Sequence, residues 1–282
     1  MITIMNENRV WLITGTSSGF GRAIAEAALG RGDRVVATAR DPGQLSDLAA
    51  DDAVHVVALD VTDTEQRLGA VDQAVETFGR IDVLVNNAGR TQVGAVEETT
   101  DDELRSLFEL HFFAPVALTR AALPHMRAQG GGAIVQMSSV GGQITAPGFG
   151  AYCATKFALE GITQALHDEV APFGIRTLIV EPGAFRTGLF RPDAAYQSQP
   201  MAEYAQTVGP TRDYVGGGHG SQPGDPAKAA QAILAALDAD EPPLRLVLGA
   251  DAIDNIRARL DQLTGELARW EEVGRRTAID DA

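Results

Sequence analysis

The sequence predicts a single doubly wound α/β domain, a seven-stranded and mostly parallel sheet with helices on both faces. Three observations lead there. Seven short β-branched runs alternate with longer Ala- and Leu-rich segments. Each run is apolar at nearly every residue instead of every second one, as in parallel strands covered on both sides. No internal repeat or linker divides the chain into two cores.

The runs lie at 10–14, 34–38, 54–59, 83–86, 133–137, 176–180 and 244–248, and the helix-like segments at 19–31, 64–78, 101–128, 151–171 and 226–238. A barrel of eight strand–helix units would need one pair more. Two stretches break the rhythm. Residues 188–224 are rich in Gly, Pro, Gln and aromatics and include Gly216-Gly217-Gly218-His219-Gly220, so they read as a long, functional loop. Residues 251–272 carry Ile253, Ile256, Leu260, Leu263, Leu267 and Trp270 at helical spacing, a stripe suited to the protein body or a partner subunit. The expected organisation is a domain over 1–250, with 188–224 as a lid over the site, and a helical extension over 251–282.

Composition narrows the function classes. The chain has 282 residues, 45% of them hydrophobic, enough for a large core. Its net charge of −15 opposes phosphate backbones and anionic membrane surfaces, so neither nucleic acid nor membrane is an expected partner. No apolar stretch approaches the ~20 residues that cross a bilayer. With no basic leader at the start and one cysteine, Cys153, the expected location is the cytoplasm. No His, Cys and carboxylate cluster has metal-ligand spacing, so no metal is expected.

The first run enters Thr14-Gly15-Thr16-Ser17-Ser18-Gly19-Phe20-Gly21, and a helical pattern follows at once. Gly15 permits a tight turn, while Gly19 and Gly21 allow close backbone approach. The helix then points free N–H groups and its positive dipole end at the turn, which suits a pyrophosphate. The hydroxyls of Thr16, Ser17 and Ser18 add donors. This is a Rossmann-type dinucleotide turn. The second run ends Thr38-Ala39-Arg40-Asp41, with no acid at the position that would hold ribose hydroxyls. Arg40 can instead clamp a 2′-phosphate. NADP(H) is therefore favoured, with NAD(H) the alternative, since Asp41 could reach the ribose or pair with Arg40.

Tyr152 and Lys156 stand four apart at the start of a helical segment, on one face. Ser139 follows the fifth run, at the carboxyl edge of the sheet where ligands bind. The chemistry that fits this trio is proton exchange with a carbonyl oxygen as hydride reaches or leaves its carbon. A free phenol titrates near 10, and a nearby ammonium with an oxidised nicotinamide is expected to lower it by ~2–3 units. Ser139 would stabilise charge on the substrate oxygen.

These residues resemble the short-chain dehydrogenase/reductase family, in its compact single-domain branch. The resemblance runs from Val10 to Leu248. It rests on the Thr14–Gly21 turn, Asp60-Val61, Asn86-Asn87-Ala88-Gly89, Ser139, Tyr152 with Lys156, and Pro182-Gly183 with Thr187. It implies that Asp60 and Val61 hold the adenine side, and that Asn87, Ala88 and Gly89 line the cofactor cleft. It implies that Pro182, Gly183 and Thr187 meet the nicotinamide end and that Lys156 also binds its ribose. The family usually has an Asn before the fifth strand where this chain has His111. An imidazole there can join the proton relay or pack the helix, and the residues leave both open.

The resemblance also implies that helices 101–128 and 151–171 form a homodimer or homotetramer contact. The loop after the sixth strand would close over a carbonyl or secondary-alcohol substrate. Phe149, Phe185, Phe190, Tyr196, Met201, Tyr204 and Tyr214 are candidate walls and favour an apolar substrate, whereas Arg186, Arg191 or Arg212 could clamp a carboxylate. The expected function is an NADP(H)-dependent oxidoreductase, and the alternative is a non-catalytic nucleotide-sensing or interaction protein on the same fold.

Overall fold

A computed structural model describes residues 8–191 and 194–279. Positions 1–7, 192–193 and 280–282 of the ranges expected for the domain, lid and extension lie outside the described residues. The main sheet is built from β1 (Val10–Ile13), β2 (Arg34–Ala39), β3 (Val54–Ala58), β4 (Val83–Asn86), β6 (Gly132–Met137), β7 (Ile175–Pro182) and β9 (Arg245–Leu248). A separate parallel pair joins β5 (Thr91–Val93) to β8 (Ala195–Gln197). The helices are α1 (Gly19–Leu29), α2 (Thr64–Phe78), α3 (Asp101–Phe108), α4 (Ala114–Ala128), α5 (Gly150–Val170), α6 (Gly209–Gly217), α7 (Pro226–Asp238) and α8 (Ala250–Arg275).

The large sheet runs β3-β2-β1-β4-β6-β7-β9, and every neighbouring pair is parallel. Strand order reverses between β1 and β4, where the strand ends open a crevice for ligands. Two cores flank the sheet. One packs Ile24, Ala25 and Ala28 of α1 and Ile233, Leu234 and Leu237 of α7 against Trp11, Ile13 and Val35. The other packs Val71 of α2 and Leu118, Ala122 and Met126 of α4 against Leu12, Leu84 and Ile134. Successive strand residues thus face opposite cores, which is why the strands read as unbroken apolar runs.

Two expectations need correction. The single helix over 101–128 is instead α3, a π-helical turn at Glu109–Phe113, and α4. Pro115 has no N–H for the carbonyl four residues back, and the Ala114 N–H reaches the wider Glu109 carbonyl. The segment over 188–224 is not without structure. It holds β8 and α6, and Val208 and Val215 join Val93 and Ala95 in a third apolar cluster. The stripe on α8, expected on the body or on a partner subunit, meets the body through its first turns. Ala252 and Ile256 are buried, whereas Leu260, Leu263, Leu267 and Trp270 are exposed.

Candidate active site

The turn between β1 and α1 is fixed by backbone geometry and by β4. Gly15 and Gly19 adopt φ of 70° and 60°, a region that L side chains avoid. A Cβ on Gly21 would stand 2.2 Å from the Gly15 carbonyl oxygen, so this glycine lets α1 start against the turn. The Asn87 side chain donates to the carbonyls of Thr14 at 2.7 Å and Gly15 at 3.1 Å, tying the ends of β1 and β4 together. Ser17 and Ser18 are exposed beside the turn. The Thr16 hydroxyl is buried and donates to the Thr38 carbonyl at 3.0 Å, so it is not the ligand donor expected from sequence.

The turn forms one end of a cavity of about 510 Å³. Gly15, Ser17, Ser18, Gly19 and Phe20 line it, with Arg40, Asp60 and Val61 beyond. Gly21 does not; its part is the close packing just described. Asn87, Ala88 and Gly89 form the next wall, and Pro182, Gly183 and Thr187 the opposite rim. The Asp41 carboxylate accepts from the Gly43 N–H at 3.0 Å and caps a short turn. Ala39 beside it is buried and carries no polar group. The Asp60 carboxylate is held by the Thr62 N–H at 2.9 Å and hydroxyl at 2.7 Å. Free α1 N–H groups and a glycine surface fit the pyrophosphate of a dinucleotide, with an exposed arginine beside the adenosine side.

At the other end, Ser139, Tyr152 and Lys156 reach the same cavity from the end of β6 and the first turns of α5. The Ser139 hydroxyl accepts from the Gly141 N–H at 3.0 Å and is near enough to the Tyr152 phenol to favour its charged form. Lys156 is buried, donates to the Met137 carbonyl at 2.8 Å, and lies 5.7 Å from the centre of the Tyr152 ring. Burial lowers its ammonium from 10.5 to about 8, against the opposing charge of Glu160. The expected lowering of the phenol is not produced by the chain's own residues. Burial pushes Tyr152 up to about 12, and only the Ser139 hydroxyl pulls it back. The ammonium spends a donor on Met137, and the same burial that shelters both groups disfavours their charged forms.

His111 projects from the π-helical turn into the wall next to Tyr152, their rings edge to face at 5.6 Å. Both of its nitrogens are engaged. The Arg90 N–H donates to Nε2 at 3.2 Å, so Nε2 carries the lone pair. The Thr155 hydroxyl donates to the Tyr152 carbonyl at 2.7 Å, which leaves Nδ1–H to donate to Thr155 Oγ1 at 3.0 Å. Burial, then Lys156 and Arg90, hold the imidazole well below its ordinary 6.5. It is therefore neutral and of one tautomer.

Of the aromatic walls expected from sequence, Phe185, Phe190 and Tyr196 line the cavity. Phe149 and Tyr204 pack instead in the third apolar cluster, Tyr214 packs edge-on against Phe190 at 5.4 Å, and Met201 is not a wall. Arg212 is no substrate clamp: its guanidinium pairs with Glu98 at 2.7 Å and donates to the Ser198 carbonyl at 3.0 Å. Arg186 donates to the Gln222 carbonyl at 3.2 Å, whereas Arg191 does line the cavity. Arg90, Ser106 and Gln222 line it too and were not singled out in the sequence. The one available signal was the position of Arg90 directly after Asn87-Ala88-Gly89.

The arrangement is that of a nicotinamide-dependent oxidoreductase. A family model described as short chain dehydrogenase matches residues 9–197. The oxidoreductase BOA17 of Botryotinia fuckeliana (strain B05.10) is 42% identical over 269 residues, 94% of this chain and 97% of that protein. A short-chain dehydrogenase from Streptomyces avermitilis is 57% identical, with a TM-score of 0.91 over 98% of this chain and 100% of its own. A short-chain dehydrogenase from Burkholderia cenocepacia J2315, in complex with NADP, is 27% identical with a TM-score of 0.73 over 93% and 97%. The chain belongs to the short-chain dehydrogenase/reductase family, and it is an NAD(P)-dependent oxidoreductase.

Proposed function

We propose that the chain interconverts a ketone and a secondary alcohol with NADP(H), using Tyr152 as the general acid and base. The observation that carries this reading is the opening of Ser139, Tyr152 and Lys156 into the cavity that the glycine turn and Arg40 enter from its other end. The nicotinamide, when bound, supplies or takes the hydride. The chain's residues handle the oxygen and its proton. With its phenol raised to about 12, Tyr152 holds a proton at neutral pH and donates it to the carbonyl oxygen as that oxygen gains negative charge. Ser139 donates a hydrogen bond to the same oxygen. Lys156, charged below about pH 8, stabilises the phenolate left behind and binds the ribose of the cofactor.

Gly15, Ser17, Ser18, Gly19 and Phe20 hold the pyrophosphate side, with Gly21 letting α1 start there. Asp60 and Val61 flank the adenine. Asn87, Ala88 and Gly89 line the cleft, and Pro182, Gly183 and Thr187 meet the nicotinamide. Arg40 selects the 2′-phosphate, supported by the vacant acid position at Ala39 and by the engagement of Asp41 with the Gly43 N–H. His111 is a positioning residue, since both nitrogens are taken by protein groups. Residues 188–224 serve as the substrate cover, residues 251–282 as an extension outside the catalytic domain, and the working form is a homodimer or homotetramer. Leu110, Met137, Leu189 and Phe190 favour a substrate with an apolar body.

Absorbance at 340 nm across a ketone panel, with NADPH and NADH in parallel, tests this. Ketone-dependent loss of NADPH absorbance at a lower KM than with NADH is expected; no turnover of any ketone with either cofactor overturns it.

A further inference from the structure

The charges around the cavity are uneven in a way the net charge of −15 conceals. Arg40, Arg90, Lys156 and Arg191 line it, whereas Asp60 is the single carboxylate among the described lining residues. Three of these cations have work at the cofactor or the phenol. Arg40 stands at the end of β2, Arg191 lies with Ser18 against Gly188 by the glycine turn, and Lys156 serves Tyr152. Arg90 is left, and it sits at the other end, beside Ser106, Leu110, His111 and Tyr196.

Arg90 is held by neutral groups. It donates from Nη1 to the Gln92 amide oxygen at 2.9 Å and from Nη2 to the Ser106 hydroxyl at 3.3 Å. Its guanidinium carbon lies 3.9 Å from the centre of the Tyr196 ring. Among the described residues no carboxylate forms an ion pair with it. Glu103, the acid whose charge it feels, is committed to the Thr100 cap and to Ser198. Partial burial disfavours its charge, so the site keeps a desolvated cation in place without a compensating anion of its own. An arginine has five N–H donors, and two are used, leaving three. Tyr196 covers one face of the guanidinium, so an acceptor must approach in its plane, the geometry of a bidentate carboxylate.

We infer that Arg90 is a specificity-determining residue that receives a carboxylate on the substrate, so that the ketone is an oxo acid with an apolar body. This rests on the ketone–alcohol reading above and names its substrate class. One guanidinium with two neutral neighbours matches a monoanion better than a phosphate dianion. The backbone N–H of Arg90 is anchored on His111, which in turn abuts Tyr152, and the guanidinium at the end of the same side chain lies on Tyr196 in the shared cavity, so the carboxylate would dock about one arginine side chain from the Tyr152 wall.

The test compares acetoacetate, levulinate and their longer linear homologues with the methyl ester of each. For the best chain length, the protein should reduce the oxo acid with kcat/KM at least 30-fold above its ester, mainly through KM. Arg90→Leu should erase that preference by lowering kcat/KM for the acid far more than for its ester, and Arg90→Lys should restore part of it. Calorimetric titration of the intact protein with hexanoate, hexanamide and hexyl phosphate gives a readout without turnover. Hexanoate should bind, hexanamide should not, and Arg90→Leu should abolish hexanoate binding. Equal turnover of acids and esters overturns the inference and leaves the ketone–alcohol reading intact. Tighter Arg90-dependent binding of hexyl phosphate, or an Arg90→Leu effect confined to NADPH, overturns it as well. Absence of any ketone turnover is the failure of the wider reading, and hexanoate binding then judges Arg90 by itself.

Discussion

Replacing His111 separates a positioning group from a proton relay. In His111→Leu, the Arg90 N–H loses its acceptor at 3.2 Å and Thr155 Oγ1 loses its donor at 3.0 Å, both at a buried position. An orphaned buried donor costs about 1–3 kcal/mol, and the second, weaker loss about 0.5–1 kcal/mol, so about 2–4 kcal/mol is expected in all. For a chain of 282 residues that corresponds to a fall in melting temperature of about 3–7 °C. His111→Asn keeps an acceptor and a donor on a shorter arm and should recover about half of the loss. Because the imidazole is neutral with both nitrogens engaged, the kcat/KM profile of His111→Asn should keep the wild-type shape between pH 5.5 and 8, as the depressed pKa requires. Differential scanning calorimetry and steady-state rates across that range provide the two readouts. A wild-type limb near pH 6–7 that disappears in His111→Asn, with the melting temperature unchanged, would refute the positioning role.

Three further outcomes follow from other contacts. Arg40→Ala should raise the KM for NADPH about 10–100-fold and leave that for NADH within threefold, since a bidentate phosphate contact is worth about 1–3 kcal/mol. Arg212→Ala should lower the melting temperature by several degrees and expose the 194–224 segment to limited proteolysis, because the carboxylate of Glu98 then stays buried with only the Ala95 and Met201 N–H groups as donors. Glu181, fully buried, is raised from 4.5 toward neutrality, to about 7, by burial and by the nearby Glu160 carboxylate. The folded state therefore holds this proton more tightly than the unfolded chain, so the associated stability is present below about pH 4.5 and is lost as pH rises to about 7. Glu181→Gln should remove that slope, at most about 1.4 kcal/mol per pH unit, in denaturant titrations at pH 5, 6 and 7.

The legible parts of this chain are those in which residue type and local order carry the physics. Val83–Asn86 and its six companions read as strands because burial on both faces demands continuous apolar side chains. Gly15, Gly19 and Gly21 announced a ligand turn because their spacing follows a strand and precedes a helix. Illegible parts depend on partners far along the chain. The three-residue strands β5 and β8 pair across about a hundred positions, and neither has enough length to show a period. Arg212 looked like a substrate clamp until the fold brought Glu98 to it. The π-helical turn at Glu109–Phe113 leaves the apolar pattern of 101–128 intact and reveals itself only through Pro115. The upward pull of burial on Tyr152 is illegible in the sequence for a similar reason. Spacing places Lys156 on its face, but only the folded main chain shows that Met137 claims the ammonium.

The account centres on the Tyr152 phenol as the group that exchanges the proton with the substrate oxygen. Tyr152→Phe keeps the ring packed against His111 and Phe149 and removes only the hydroxyl. NADPH oxidation with the best ketone substrate, measured together with the NADPH dissociation constant, is the direct test. The expected result is a fall in kcat of a thousandfold or more with cofactor affinity within threefold of wild type; retention of a tenth of the wild-type rate would contradict the account.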